Sequence, residues 1–445
     1  MSADEKMDKI SAAAGPAPAS FVAEDAIYEW WINDAFTWLG DRLVATLYGA
    51  NSGDIRAIEW RPGEGITTDA VVANSTSVDD HNTPGHWAAE GERAVLLWQR
   101  HNADSLLRIQ VSNPGPDMAS FAETPIVEVD MGAPVTYAHP IRIAHLSDPS
   151  QNTFWCPTRL DNARWRILEF RVDKATGAVT VGSTYFFLSS SAGQCYCSFA
   201  DARADTGNQT LRVAFYHNPA VSSNMIWYVE IDCVTGEVIS PFETLDFNLF
   251  TALNDLEMRG SSDTAPDVVP AIAHDASVDR RLFYAAAGPC NRRIAYAEWP
   301  ASNPDAATYK VLDLDRTTTT EHGAAGMRFG YRATANYLPG MCFDNPAHDD
   351  TIYLARNPDG SPATLERHRT TRSGATSTVL LRTSSSKPIR PIRACNGGPF
   401  LMYFDLTSYG IEGTFLSTGA ARAVELGPDG PQEVGIKAIE ERRDN

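Results

Sequence analysis

The chain has 445 residues, of which 43% are hydrophobic and 21% charged, the composition of a globular protein with one large core or two ordinary ones. It contains no run of about eighteen apolar residues, which excludes a transmembrane helix. The formal net charge of −19 argues against nucleic acid and against an anionic membrane as partners.

The N-terminal segment predicts a disordered leader. Residues 1–20 carry mixed charge followed by Ala, Pro and Gly, without the basic start and Leu-rich stretch of a secretory signal. The sequence therefore favours a cytoplasmic location, the alternative being a secreted protein whose leader has been removed. The seven cysteines are dispersed and odd in number, which fits a reducing compartment better than a disulfide framework.

Beyond the leader, short β-rich runs follow one another closely and helical periodicity is scarce. Examples in chain order are RAVLLWQ, SLLRIQVS, WRILEFRVD, TLRVAFYHN, MIWYVEID, TIYLARN and FLMYFD. Turns such as DKATGAV and CVTGEV join neighbouring runs into hairpins. This density of strands predicts an all-β protein with a closed or radial architecture. Blades of about 40–55 residues divide the chain into about seven, so we expect a seven-bladed β-propeller forming one domain over residues 21–445.

A polar turn near the N-terminal strands collects residues that can carry chemistry. The segment 77–85, SVDDHNTPG, contains His81 between acidic residues and an Asn. His101 ends the next predicted strand, and a hairpin would bring the two imidazoles to one rim. Tyr137 begins a further strand, in VTYAHP, and the strand after it runs to Arg159.

These segments resemble a known family. DDHNTPG, LLWQRHN, TYAHP, the strand ending in Arg159, CYC, LRVAFYHNP, MCFDNPAHDDTIYLARN and LERHRTTRSGA follow the order found in BNR-type propellers, which include the ulvan lyases and rhamnosyl-glucuronate lyases. The likeness covers about residues 55–415. It implies a catalytic propeller that acts as a monomer and cuts an acidic glycan containing a 4-linked uronic acid. The implied reaction is β-elimination, often with rhamnose as the departing sugar and with no cofactor required for the chemistry.

The resemblance assigns an acid/base pair. His81 and Tyr137 match the groups that remove the C5 proton of the uronate and protonate the departing O4, and the residues leave open which takes which role. His101 matches a supporting catalytic position. Tyr196 matches a position that would hydrogen-bond the substrate.

The C5 proton becomes acidic only when a cation neutralises the neighbouring carboxylate, and a planar guanidinium does so bidentately. Arg159 is the candidate for this role, with Arg142 and Arg166 as alternatives. Arg142 is also a candidate substrate-binding residue, together with Asn82 and Trp98. The alternative for the tryptophans, which are frequent near the N-terminal strands, is core packing.

A structural metal ion is a further expectation from the resemblance. The resemblance implies a structural zinc that joins blades, and His217 matches a ligand position. Cys233, His274 and Cys290 have the side chains to complete a four-ligand set, although no local finger spacing occurs. Calcium in a central channel is a second candidate, and four unrelated buried side chains are the alternative to any metal.

Two other functions compete with the lyase. A glycoside hydrolase on the same scaffold would need two positioned carboxylates, for which Asp79 and Asp80 are the nearest candidates. A propeller that binds glycans without catalysis is the other, because a fold does not guarantee a function. Formation of an unsaturated uronate distinguishes elimination from both.

Overall fold

A computed structural model describes the protein over much of its length. The described residues are 20–23, 25–26, 35–49, 51–75, 80–101, 103–138, 140–161, 164–189, 195–204, 209–217, 226–234, 238–239, 244–245, 271–274, 279–287, 292–300, 308–312, 341–343, 351–356, 364–371, 374–382, 389–393, 398–408 and 418–425. Of the predicted leader, they include only Ser20, which begins the first strand. The leader and the single-domain boundary therefore stay predictions.

The described residues form an all-β protein, as the sequence predicts. Their strands make seven antiparallel sheets that follow one another along the chain. The helices among them are three short 3-10 turns, η1 (Asp80–Asn82), η2 (Met118–Ala122) and η3 (Ala144–Leu146). None of the helices in this part of the chain is long and apolar enough to cross a membrane.

The strands of the first three sheets lie in the N-terminal half. The first strand is β1 (Ser20–Ala23). The first sheet contains β2 (Phe36–Leu39), β3 (Arg42–Tyr48), β4 (Asp54–Arg61) and β5 (Gly65–Asn74). The second contains β6 (Gly85–Trp87), β7 (Arg93–Trp98), β8 (Leu106–Pro114) and β9 (Val127–Asp130). The third contains β10 (Val135–Thr136), β11 (Ile141–Arg142), β12 (Gln151–Leu160), β13 (Arg164–Asp173) and β14 (Val179–Ser189).

Four further sheets follow. The fourth contains β15 (Cys195–Ala204), β16 (Gln209–His217), β17 (Ile226–Asp232), β18 (Val238–Ile239) and β19 (Thr244–Leu245). The fifth contains β20 (Ala271–His274), β21 (Asp279–Ala287), β22 (Arg292–Pro300) and β23 (Thr308–Leu312). The sixth contains β24 (Met341–Phe343), β25 (Thr351–Arg356), β26 (Thr364–Thr371) and β27 (Gly374–Arg382). The seventh contains β28 (Ile389–Arg393), β29 (Phe400–Ser408), β30 (Thr418–Glu425) and the N-terminal strand β1.

Alternating side chains of the inner strands pack against the two neighbouring sheets. In β7, Ala94, Leu96 and Trp98 belong to the hydrophobic core shared with the first sheet. Val95 and Leu97 belong instead to the core shared with the third sheet. Because successive strand residues point to opposite faces, a strand buried on both sides reads as a continuous apolar run. This explains the sequence RAVLLW.

Contacts link each sheet to the next and the last to the first. Strand β3 contacts β6, β11 contacts β15, β15 contacts β20, β20 contacts β24 and β24 contacts β28. The second and third sheets are joined by the guanidinium of Arg93, which donates to the carbonyl of Lys174 at 3.1 Å. The seventh sheet meets the first where the Phe400 ring packs 5.6 Å from that of Trp38 and 5.3 Å from that of Trp60. Strand β1 pairs with β30, so the first and last described strands lie in the same sheet.

The junction of the seventh and first sheets gives a prediction for stability. Gly398 has a φ of +82°, and a Cβ there would overlap the Trp38 indole. Gly63 has nearly the same φ, +81°, with nothing within 4 Å of an added Cβ. We expect Gly398→Ala to lower the free energy of unfolding by about 1–3 kcal/mol more than Gly63→Ala, measured by urea denaturation. Equal losses in the two variants would contradict this packing.

His86 lies buried between the first and second sheets and makes stability depend on pH. Its Nε2 is 3.0 Å from the Thr37 hydroxyl and its Nδ1 is 3.0 Å from the Thr46 hydroxyl. Burial lowers the pKa of His86 from 6.5 to about 3. Below the ordinary pKa of 6.5, the His86 imidazole therefore binds a proton in the unfolded chain but not in the folded chain. The free energy of unfolding falls for this reason as the pH drops toward 3.

We expect this titration to be visible in the free energy of unfolding. Between pH 7 and pH 5 the wild type should lose about 2 kcal/mol more than His86→Gln, whose side chain does not titrate. Urea denaturation of both proteins at the two pH values measures the difference. The same pH dependence in both would show that His86 is not the group responsible.

Candidate active site

His81 and His101 are brought together by the buried side chain of Asn82. Turn η1, which carries His81, connects the first sheet to β6, and His101 lies in the connection between β7 and β8. The Asn82 carboxamide oxygen accepts from the backbone N–H of His101 at 2.7 Å. Its nitrogen lies 3.4 Å from the Ser75 hydroxyl oxygen and 3.5 Å from that of Tyr48. The two imidazoles stack with 4.3 Å between ring centroids and 11° between planes.

Tyr137 enters the same cluster from the break between strands β10 and β11 of the third sheet. Strand β10 pairs Thr136 with Arg159, and β11 pairs Ile141 with Trp155. Tyr137 is the first residue after β10. Tyr137 has a φ of +60°, a left-handed conformation that is uncommon for a residue with a large side chain. Backbone strain of this kind is concentrated at functional sites.

The Tyr137 ring lies between an imidazole, a guanidinium and an indole. Its centroid is 5.3 Å from that of His81. The Arg159 guanidinium carbon lies 4.4 Å from the ring centroid, a cation–π contact. The indole of Trp165 is stacked at 6.2 Å, with 18° between the planes. Tyr137 thus contacts two of the other predicted catalytic residues, His81 and Arg159, and His101 joins the cluster through His81.

The cluster is covered from solvent to different depths. Tyr137 is 0% exposed and Arg159 1% exposed, whereas His81 is 7% exposed and His101 lies at intermediate exposure. A ligand approaching from solvent would therefore meet the two imidazoles before the phenol and the guanidinium. Burial in a medium of low dielectric strengthens the attraction between the Arg159 cation and an anionic group of such a ligand.

The other two arginine candidates contact different segments. The Arg142 guanidinium donates to the Asn152 side chain at 2.9 Å and lies 5.7 Å from the Trp87 ring. The Arg166 guanidinium donates to the carbonyl of Met131 at 2.9 Å, and burial together with Arg164 lowers its pKa. Of the three, Arg159 is the one that the structure places against Tyr137.

Two of the predicted substrate-binding residues, Trp98 and Asn82, are buried and make internal hydrogen bonds. Trp98 belongs to the core between the first and second sheets, is 2% exposed, and donates its indole N–H to Gln110 at 3.0 Å. Asn82 is 0% exposed and its amide bonds internal groups. Arg142, the third, extends along β12 away from the cluster toward Asn152. Tyr196 lies in β15, paired with Tyr216, and its side chain is outside the described part of the structure.

Two of the predicted metal ligands, His217 and Cys233, lie at opposite ends of the hairpin formed by β16 and β17. His217 ends β16, whereas Cys233 follows β17 at the other end of the hairpin, where Asp232 pairs with Thr210. The two backbone positions are about 20–25 Å apart at 3.3 Å per residue, so one ion cannot bind both. His274 ends β20, and Cys290 lies outside the described residues.

The single ligand candidate with a described side chain is Cys233. Its thiol is buried, and burial raises its pKa to about 12. Among the described residues, no group of three or more His, Cys, Asp or Glu side chains is placed to bind a metal. A structural zinc or calcium ion on other ligands stays a prediction.

Two residues that hold the cluster together, Gln99 and Thr136, are not among the site residues that the sequence predicts. Gln99 donates to the carbonyl of His81 at 2.8 Å, and the hydroxyl of Thr136 donates to the same carbonyl at 3.2 Å. Gln99 lies in the motif LLWQRHN and Thr136 in the motif TYAHP, each close to a predicted site residue. Their role depends on a carbonyl oxygen, which no side-chain pattern reveals.

Comparison with known proteins identifies the class of fold. No family model matches the chain, and no curated protein matches it. The fold is shared with solved polysaccharide lyases, and the resemblance to ulvan lyases expected from the sequence is confirmed at the level of the fold.

Two of these structures are of an ulvan lyase of family PL25. The structure bound to -[GlcA(1-4)Rha3S]- has a TM-score of 0.63 and 10% sequence identity, covering 92% of this chain and 96% of that chain. Another has a TM-score of 0.62 at the same identity and coverage. The polysaccharide lyase Uly1 has a TM-score of 0.55 and 12% identity, covering 94% of this chain and 95% of its own. The likeness extends over nearly the whole of each chain.

Proposed function

We propose that the protein is a polysaccharide lyase that cleaves a rhamnosyl-(1→4)-uronate linkage in an acidic glycan by β-elimination. The observation that carries this proposal is the convergence of His81, His101, Tyr137 and Arg159 from two sheets. These side chains supply two candidate proton-transfer groups in contact with each other, His81 and Tyr137, and a cation in contact with Tyr137. The shared fold of ulvan lyases supports the same class of reaction.

The proposal includes the arrangement of the sheets as a seven-bladed propeller. Each antiparallel sheet of four or five strands has the form of one blade. The chain of contacts from each sheet to the next, and from the seventh back to the first, supports a radial order. The pairing of β1 with β30, the first and last described strands, supports closure of the ring within the last blade.

The elimination requires three coordinated events. Arg159 neutralises the uronate carboxylate and stabilises the enolate-like charge that develops as C5 loses its proton. A base removes that proton, the electron pair forms the C4–C5 double bond, and the bond from C4 to O4 breaks. An acid protonates the departing O4, which leaves with the rhamnosyl part of the chain. The products are an unsaturated uronate and a new reducing end.

His81 and Tyr137 are the proposed acid/base pair. Their rings lie 5.3 Å apart, close enough to reach groups on a single sugar ring. Glucuronate and iduronate carry the C5 proton on opposite faces, so the configuration of the uronate decides which of the two groups acts as base. His101, stacked on His81, orients its imidazole.

One observation favours the alternative of a glycan-binding protein. Tyr137 and Arg159 lie beneath the imidazoles at no more than 1% exposure, so elimination requires the substrate to reach past the histidines.

The hydrolase alternative depends on Asp79, which lies outside the described residues, and on Asp80, whose side chain is not described.

The test is incubation with ulvan and, separately, with a gum arabic-type glycan bearing rhamnosyl-glucuronate. The proposal predicts an increase in ultraviolet absorbance from the conjugated unsaturated uronate with at least one of them. Folded protein that binds either glycan without producing the chromophore would establish the binding alternative.

A further inference from the structure

The carbonyl oxygen of His81 is a point where the second and third sheets are joined. Gln99, which follows β7 of the second sheet, donates its side-chain N–H to this oxygen at 2.8 Å. Thr136, in β10 of the third sheet, donates its hydroxyl at 3.2 Å. All the groups involved are buried, with Gln99 0% and Thr136 2% exposed. Two hydrogen bonds shielded from water therefore fix the backbone that carries the His81 imidazole.

Thr136 also belongs to the segment that carries the other half of the site. It immediately precedes Tyr137 and pairs with Arg159 across β10 and β12. Its own carbonyl accepts from the Thr158 hydroxyl at 3.0 Å, which ties it to β12. The Thr136 side chain thus links the turn that carries His81 to the backbone segments that carry Tyr137 and Arg159.

We infer that Thr136 is a positioning residue for the elimination, an inference that rests on the proposed function. Its hydroxyl sets the position of His81 relative to Tyr137 and Arg159 without touching the substrate. A misplacement of about 1 Å in a catalytic group can reduce a rate about 100-fold. The hydrogen bond spans two sheets, so its loss lets the halves of the site shift relative to each other while each sheet keeps its own strand pairing.

The test compares three threonine variants of the full chain. Thr136→Val removes the hydroxyl and keeps the shape, and Thr136→Ser restores a hydroxyl. Thr153→Val is the matched control, because Thr153 is 1% exposed, lies in the same sheet, and donates its hydroxyl to the carbonyl of Leu146 at 2.8 Å. We expect Thr136→Val to lower kcat on the cleaved glycan about 10- to 100-fold with little change in KM. Thr136→Ser and Thr153→Val should stay within a factor of about three of the wild type.

A second readout does not depend on activity. The imidazole NMR signals of His81, assigned from their loss in His81→Asn, should move in Thr136→Val and stay in place in Thr153→Val. Equal behaviour of the two valine variants in both rate and His81 signal overturns the inference. A wild type that yields no unsaturated product defeats the proposed function, and the NMR comparison alone then decides whether Thr136 positions His81.

Discussion

Tyr137→Phe is expected to lower kcat by about 100- to 10,000-fold, the range found when a positioned proton-transfer group is removed. Phenylalanine keeps the ring in contact with His81, Arg159 and Trp165, so the change is confined to the hydroxyl. We therefore expect KM to change little and the free energy of unfolding to fall by no more than about 1 kcal/mol. Initial rates of chromophore formation and urea denaturation measure the two effects.

The matched control for this variant is Tyr185→Phe. Tyr185 lies in the same sheet, and its hydroxyl is 3.4 Å from a carboxylate oxygen of Glu169, away from the histidines. Its loss should leave kcat unchanged. If Tyr137→Phe retained the wild-type rate, the phenol would have no part in proton transfer and the proposed acid/base pair would be wrong.

Arg159→Lys is expected to lower kcat/KM by about 100- to 1,000-fold, the cost of removing one preorganised group that stabilises developing charge. Lysine keeps the charge but loses the planar fork that binds a carboxylate bidentately and the flat face that stacks on Tyr137. The loss should appear mainly in kcat, because the enolate-like transition state carries more charge near this group than the bound substrate does.

Arg166→Lys provides the comparison for this second variant. Arg166 lies on β13 opposite Thr158, one position from the pairing partner of Arg159, and donates to the carbonyl of Met131. We expect steady-state kinetics on the cleaved glycan to stay near wild type. Equal losses in the two lysine variants would indicate a general effect of replacing an arginine in this sheet and would contradict a specific role for Arg159.

The strands and the histidine pair could be predicted because both depend on local rules. Buried strands such as β7 appear in the sequence as apolar runs, and a hairpin returns the chain to the rim from which it started. The pairing of β6 with β7 places His81 near His101 for that reason. The all-β class and the meeting of the two imidazoles therefore follow from sequence pattern and strand length.

The remaining parts of the site depend on contacts that sequence pattern does not encode. Trp98 and Asn82 look like ligand-binding residues in the sequence, yet the packing of a neighbouring sheet buries both. The choice of Arg159 over the other arginines follows from its contact with Tyr137, whose left-handed backbone conformation no local propensity predicts. The bond from Thr136 to the His81 carbonyl spans 55 positions of sequence.

The most direct test of elimination at a uronate is mass spectrometry of the products. Elimination adds no water, so the two fragments should together have the mass of the uncut chain. One fragment should end in an unsaturated uronate, and Tyr137→Phe should form it far more slowly than the wild type. A combined mass larger by one water for each bond cut would instead identify a hydrolase and contradict the proposed function.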